Sequence, residues 1–324
     1  MAIILKSCTK ADLIHQIADS MHHFPYRVHH RVKSCLVGTM ALLMTAGCTS
    51  SAPVVVESAN QNSRVRVVVI HHTVSDFQES LDALTLPSNR PVSSHYLVPE
   101  PDDPSYTKKQ LKLHKLVAEE QRAWHAGVSY WNGRSALNDM SIGIELVNQT
   151  HCYESAQSPD PENPDEICFF PDFSISQIDM LLDLLEGILE RHPDLQPTNI
   201  IGHADIAPQR KIDPGPRFPW QRLYRQGFGA WYDDETVIRY WEQFKTQMPS
   251  TLQLQEALYT YGYEIELSGE PDLQNHKVVR AFQMHFVPWH VSGTFDAESA
   301  AALFALIEKY RSDDLERLLQ PSAE

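Results

Sequence analysis

Residues 65–70 read VRVVVI, and this run ends on two histidines, His71 and His72. A nearly unbroken stretch of β-branched side chains leaves little polar face for water, so it fits a strand covered on both sides. Strands of that kind belong to parallel or mixed sheets with helices packed over them. Other segments agree. Ser94–Val98 (SHYLV) and Leu111–Val117 read as further strands. Ser141–Val147 (SIGIELV) alternates, with Ile142, Ile144 and Leu146 on one face and Ser141, Gly143 and Glu145 on the other. The pattern Ser75-x-x-Gln78 is a capping box ahead of Phe77, Leu81 and Leu84, which share a helical face. Ser176-x-x-Asp179 opens the clearest helix, with Ile178, Leu181, Leu182, Leu185, Ile188 and Leu189 on one stripe and His192-Pro193 as its stop. Asn199–Gly202 then returns as a short strand that delivers His203. The expected fold is α/β, a central mixed sheet flanked by helices, followed by a small three-helix C-terminal domain.

The boundaries follow from composition. Residues 1–47 hold five Lys/Arg against two Asp/Glu, while the whole chain of 324 residues carries a formal charge of -15, so the remainder carries -15 - 3 = -18. A surface that acidic argues against nucleic acid as a partner. Basic Arg27–Lys33 precedes CLVGTMALLMTAG at residues 35–47, an apolar run of about 13 residues that falls short of the ~20 needed to span a bilayer. This is the layout of an export signal. Residues 48–63 are polar and suit a tether, residues 64–232 a catalytic domain, 233–249 a connector, and 250–312 the helical module. In that module Leu254, Ala257, Leu258 and Tyr261 share a face, as do Val278, Ala281 and Phe282, and Ala300, Leu303, Phe304 and Ile307. Residues 148–173 contain four prolines and no periodicity, and read as a long loop bracketed by Cys152 and Cys168. In an oxidising compartment a disulfide would close that loop and stabilise it by about 3 kcal/mol. None of the five cysteines forms a C-x-x-C pair, which excludes a cysteine-only zinc site of the usual spacing.

Hydrolytic zinc needs three protein ligands and one open position. Two strand ends supply histidines, at His71-His72 and at His203. Adjacent strand residues point to opposite faces, so one of His71 and His72 reaches such a metal. Carboxylates at Asp205 and Asp213 are rivals for the third place.

The segments VVIHHT, SSHYLV, WHAG, LNDMSIGIEL and GHADIAPQRKIDPGP resemble, in order and spacing, the zinc-dependent N-acetylmuramoyl-L-alanine amidases, a family that also contains the peptidoglycan recognition proteins. The likeness runs from about residue 64 to 222 and is strongest to the outer-membrane lipoprotein branch. It implies Zn2+ held by His71, His203 and Asp213, with Glu145 as the proton acceptor and Lys211 as the cation that stabilises the oxyanion. It also implies a substrate groove with His72, His95, Trp124, His125 and Asn138 as candidates for its lining, Trp124 being equally readable as core. The substrate would be peptidoglycan or its muropeptides, cut between N-acetylmuramic acid and L-alanine. Thr45-Ala46-Gly47-Cys48 resembles a lipobox, which implies lipidation of Cys48, and Thr49 after it implies retention at the outer membrane on the periplasmic side. LQLQEALYTYGY, VVRAFQMHF and GTFDAESAAALFAL resemble a peptidoglycan-binding module. The competing expectation is a non-catalytic peptidoglycan receptor on the same fold. Such receptors lose a metal ligand, typically the third, and Asp213 is present here.

Overall fold

In chain order, β1 (Val67–His72) is followed by α1 (Phe77–Thr85), β2 (Tyr96–Val98), β3 (His114–Lys115), the short pair β4 (Tyr130–Trp131) and β5 (Arg134–Ser135), β6 (Ser141–Leu146), and the hairpin strands β7 (His151–Glu154) and β8 (Glu166–Phe169). Then come α2 (Ile175–Arg191), β9 (Ile200–Gly202), the single turn α3 (His203–Ile206) and α4 (Trp220–Arg225). The C-terminal helices are α5 (Asp234–Phe244), α6 (Thr251–Tyr261), α7 (Leu273–Phe286), α8 (Ala297–Tyr310) and α9 (Ser312–Leu319). This architecture comes from a computed structural model, which describes residues 53–154 and 166–320. Cys48 and the lipobox-like segment expected around it lie outside the described residues, and residues 53–59 carry neither helix nor strand and are exposed.

β1 is buried at every position, as its β-branched sequence requires. It lies between β6 and β9 inside a five-stranded sheet of order β3-β2-β6-β1-β9. Strands β2, β6, β1 and β9 run parallel, and β3 is an antiparallel edge. The sheet is therefore mixed, as expected. Register brings the functional ends level: His71 pairs with Glu145, and Ile70 pairs with Gly202, so His203 leaves β9 beside His71. Open α/β sheets bind ligands at the carboxyl ends of their parallel strands, and here those ends carry the histidines.

Helix α2 covers the sheet with Ile178, Leu181, Leu184, Leu185 and Ile188 buried. Its cap is Ser174, whose Oγ accepts from Gln177 N–H at 3.2 Å, in place of the expected Ser176. The reason is Gln177: starting at Ile175 puts its side chain against the sheet, where Nε2 donates to Val147 O at 2.8 Å and Val98 O at 3.3 Å. Helix α1 is likewise capped one residue later than Ser75. Asp76 Oδ1 accepts from Glu79 N–H at 2.9 Å, and Ser75 turns instead to Ser80. Of the strand expected at Leu111–Val117, two residues pair, because Leu111 and Leu116 pack on a satellite cluster with Phe77, Leu97 and Tyr106. The segment 148–173 is no plain loop: β7 and β8 form a hairpin in which Cys152 faces Cys168, and the two are disulfide-bonded.

The connector expected at 233–249 contains α5, whose Tyr240 and Phe244 rings lie 5.9 and 5.1 Å from Phe304 of α8. Helices α6, α7 and α8 are the three expected, and α9 adds a fourth that extends beyond residue 312. Two glutamines organise their loops. Gln255 Oε1 accepts from Gly269 N–H at 2.8 Å, and Gln283 Oε1 from Gly293 N–H at 2.7 Å. Both glycines hold positive φ, 75° and 71°, which side-chain-bearing residues adopt only under strain. The apolar core runs without a break from the sheet into these helices. Trp131 meets Tyr263 edge-on at 5.0 Å, and Trp220 stacks on His285 at 3.8 Å.

Candidate metal centre

Three single-atom donors converge where β1, β9 and the loop after α3 meet. His71 Nδ1 lies 2.9 Å from His203 Nδ1 and 3.1 Å from Asp213 Oδ2, and His203 Nδ1 is 3.1 Å from the same oxygen. All three residues are buried. Bonds of ~2.0–2.1 Å to a tetrahedral zinc would hold such atoms about 3.3 Å apart, so the triangle fits that ion. On its outer side His203 Nε2 lies 3.2 Å from Ala126 O, an acceptor for its proton that leaves Nδ1 free for a metal, and Arg210 Nη2 approaches the same nitrogen at 3.4 Å. Asp213 is delivered by its backbone, whose carbonyl accepts from Ala204 N–H at 2.8 Å.

Asp205, the rival carboxylate, is aimed elsewhere. It accepts from Gly202 N–H at 2.7 Å, from Tyr263 Oη at 2.5 Å, and contacts His285 Nδ1 at 2.8 Å. It caps the turn that carries His203 and ties that turn to the C-terminal helices.

Around the triangle opens a cavity of about 600 Å³, lined among others by His72, Trp124, His125, Glu145, Arg210 and Lys211. Glu145 Oε2 is buried with no hydrogen-bond partner among the described residues. Burial, followed by the Asp213 charge, pushes its carboxyl up to about 8 against the opposing pull of Lys211. Without a metal, a carboxyl in this state keeps its proton at neutral pH, and a divalent cation at the triangle would lower it toward the range in which it can take up and return a proton. Burial and the neighbouring His203 lower His71 to about 4, with Asp213 working against both. Asp213 shows the opposite balance. Burial raises it, but His203 and His71 together hold it well below the usual carboxylate range.

The remaining candidates divide. His72 lines the cavity but turns from the triangle, with Nδ1 3.3 Å from Thr150 Oγ1. Trp124 is half-exposed at the cavity mouth and is not core. His125 lines the cavity behind His71, its Nδ1 3.0 Å from His71 Nε2. Two expectations fail. His95 is fully buried and off the cavity, since its Nδ1 accepts from Gly143 N–H at 3.0 Å and its Nε2 donates to Gln121 O at 3.2 Å. Asn138 also misses the cavity, because its Oδ1 is occupied by the N–H groups of His125 and Ala126 at 3.1 and 2.8 Å. Both fasten backbone and do not line the groove. Sequence reasoning overlooked Arg210, whose guanidinium holds Val128 O at 2.6 Å beside the site, and Ser141. Ser141 was discoverable, since strand alternation puts it on the same face of β6 as Glu145.

A sequence profile described as N-acetylmuramoyl-L-alanine amidase matches residues 61–216. N-acetylmuramoyl-L-alanine amidase AmiD of Escherichia coli is 41% identical over 284 residues, covering 84% of this chain and 97% of the relative. The 1,6-anhydro-N-acetylmuramyl-L-alanine amidase AmpD of Escherichia coli is 34% identical over 41% of this chain and 56% of its own length. Among solved structures, AmpDh3 from Pseudomonas aeruginosa in complex with anhydromuramic pentapeptide superposes with a TM-score of 0.71 at 44% identity, covering 83% of this chain and 99% of that one. The complex of Escherichia coli AmiD with the substrate anhydro-N-acetylmuramic acid-L-Ala-D-gamma-Glu-L-Lys gives 0.66 at 42% identity, over 78% of this chain and 93% of the other. With that identity sustained over nearly the whole of a curated relative, this chain belongs to the N-acetylmuramoyl-L-alanine amidase family.

Proposed function

We propose that this chain hydrolyses the amide between the lactyl group of N-acetylmuramic acid and L-alanine, using zinc held by His71, His203 and Asp213. The carrying observation is the buried donor triangle with an unpartnered Glu145 carboxyl in the same cavity. Zinc in such a site supplies Lewis acidity and makes water acidic enough to be deprotonated near neutral pH. Glu145 Oε2 accepts the proton of the attacking water and returns it to the departing alanine nitrogen. Lys211, on the cavity wall, would bring its ammonium to the negative charge that grows on the carbonyl oxygen. Trp124 offers an exposed indole face at the entrance for sugar or peptide. The complexes of AmiD and AmpDh3 with anhydromuramyl peptides support muropeptides as the substrate class.

The rest of the chain suits work on the cell wall. Cys48 would anchor the enzyme by lipid at the periplasmic side of the outer membrane, and the helices after residue 250 would hold it on peptidoglycan, raising the local substrate concentration. The lipobox-like sequence and the motif resemblance support these two assignments. Cys48→Ala should move the protein from the membrane to the soluble periplasmic fraction.

The decisive assay incubates purified mature protein with defined muropeptides, with and without a chelator, and follows sugar and peptide by mass spectrometry. Zinc-dependent separation, abolished in Asp213→Ala, is expected. No release in the zinc-loaded protein would instead favour a receptor that binds without cutting.

A further inference from the structure

His71 is held from both sides. Its Nδ1 faces His203 and Asp213, while its Nε2 lies 3.0 Å from His125 Nδ1. The contacts continue away from the site: His125 Nε2 is 3.1 Å from Ser141 Oγ, and Ser141 Oγ–H donates to Leu137 O at 2.7 Å. A backbone carbonyl only accepts, so the hydroxyl proton is committed to Leu137 and Ser141 has lone pairs alone for His125. The His125 proton then belongs on Nε2, which leaves its Nδ1 bare. His71 Nε2–H must be the donor to that nitrogen, which leaves His71 Nδ1 bare in turn. Each bond sets the direction of the next, and the series ends in a lone pair aimed at His203 and Asp213.

We propose that His125 and Ser141 are positioning residues that fix the tautomer and ring orientation of His71 and so set the affinity of the site for zinc. The proposal rests on the zinc reading above. Histidines that bind metals generally spend their second N–H on an outer partner, and loss of that partner weakens metal binding. Here the partner is a second imidazole, relayed to a backbone carbonyl. The relay is largely shielded, with His71, His125 and Ser141 exposed by 1%, 8% and 0% and only the two histidines reaching the cavity wall. It is also rigid. Gly143 lets the His125 ring lie against β6, since a Cβ there would stand 2.4 Å from the ring. Asn138 pins the His125 backbone, and the His71 and His125 rings meet edge-on at 81°.

Two measurements test this. Zinc affinity, read by competition with a chromogenic chelator, should fall about 10-fold in Ser141→Ala and about 10–100-fold in His125→Phe, with Ser141→Thr restoring it. Long-range ¹H–¹⁵N spectra of histidine-labelled wild type should show the His125 proton on Nε2, and Ser141→Ala should spread it over both nitrogens. Wild-type zinc affinity in both loss variants, or a His125 proton on Nδ1 in the wild type, would overturn the relay. A purely structural role would lower the melting temperature of the metal-free variants and leave zinc affinity unmoved. A wild type that binds no zinc would refute the zinc reading instead, while the spectra would still decide the direction of the hydrogen bonds.

Discussion

At the scale of single residues, the adjacent histidines are the sharpest test. Strand alternation turns the two to opposite faces, and His71 meets His203 and Asp213 while His72 turns to Thr150. His71→Ala should abolish zinc binding and His72→Ala should retain it, measured by metal content after dialysis. Glu145 makes a pH-dependent prediction. Its folded pKa of about 8 lies above the ordinary carboxyl value, so across that interval the folded state binds the extra proton and metal-free stability falls as pH rises. His71, lowered to about 4, acts in the opposite sense but has finished titrating above its ordinary value of 6.5. Between pH 6.5 and 8 the wild type should therefore lose stability relative to Glu145→Gln, by up to about 1.4 kcal/mol per pH unit, in denaturant titrations. The same variant should lower kcat by about 10²–10⁴-fold. Much of this site was legible in the sequence through the family resemblance, which singles out His71, His203 and Asp213, whereas strand position alone left His72 and Asp205 as rivals. His95 and Asn138 were misread for a physical reason. Polar side chains beside a groove motif satisfy buried backbone groups as readily as they face substrate, and that choice depends on packing between distant segments.

At the scale of elements, the sheet was legible because β-branched runs and clean alternation admit few other structures, whereas helix starts and the hairpin were not. Two serines flank Ile175, and Gln177 reaching two strand-end carbonyls selects between them, a tertiary contact that a local pattern does not contain. The β7–β8 hairpin is short, proline-flanked and stapled by Cys152–Cys168, so its pairing left little periodicity to read. One element contact deserves a direct stability test. Buried Glu119 joins the segment after β3 to α2 and β2, bonding Arg191 Nη2 at 2.7 Å, His192 Nε2 at 2.9 Å and Tyr96 Oη at 2.5 Å. Burial alone would raise its carboxyl, but bonds from Arg191, Tyr96 and His192 bring it down to about 2. Glu119→Ala should cost about 1–2 kcal/mol in chemical unfolding, chiefly because the buried Tyr96 hydroxyl loses its acceptor while the half-exposed Arg191 can turn to water. With the folded pKa depressed, this contribution is present above pH 4.5 and is lost as pH falls toward 2, so wild type and variant should converge in acid.

At the scale of the whole molecule, the C-terminal helices share the catalytic core, and Asp205 is the joint between them. It binds the turn that carries His203 through Gly202 and reaches Tyr263 and His285 on the helical side. Tyr263→Phe leaves a buried carboxylate oxygen short of a donor and should destabilise the protein by about 1–3 kcal/mol, lowering the melting temperature of the full chain as one transition. Two separate transitions in wild-type calorimetry would contradict a shared core. The metal centre can be located by a zinc-edge anomalous difference map from crystals of the zinc-loaded protein. One peak is expected, bonded at ~2.0–2.1 Å to His71 Nδ1, His203 Nδ1 and an Asp213 oxygen. A peak held by His72 or Asp205, or no peak at saturating zinc, would contradict it.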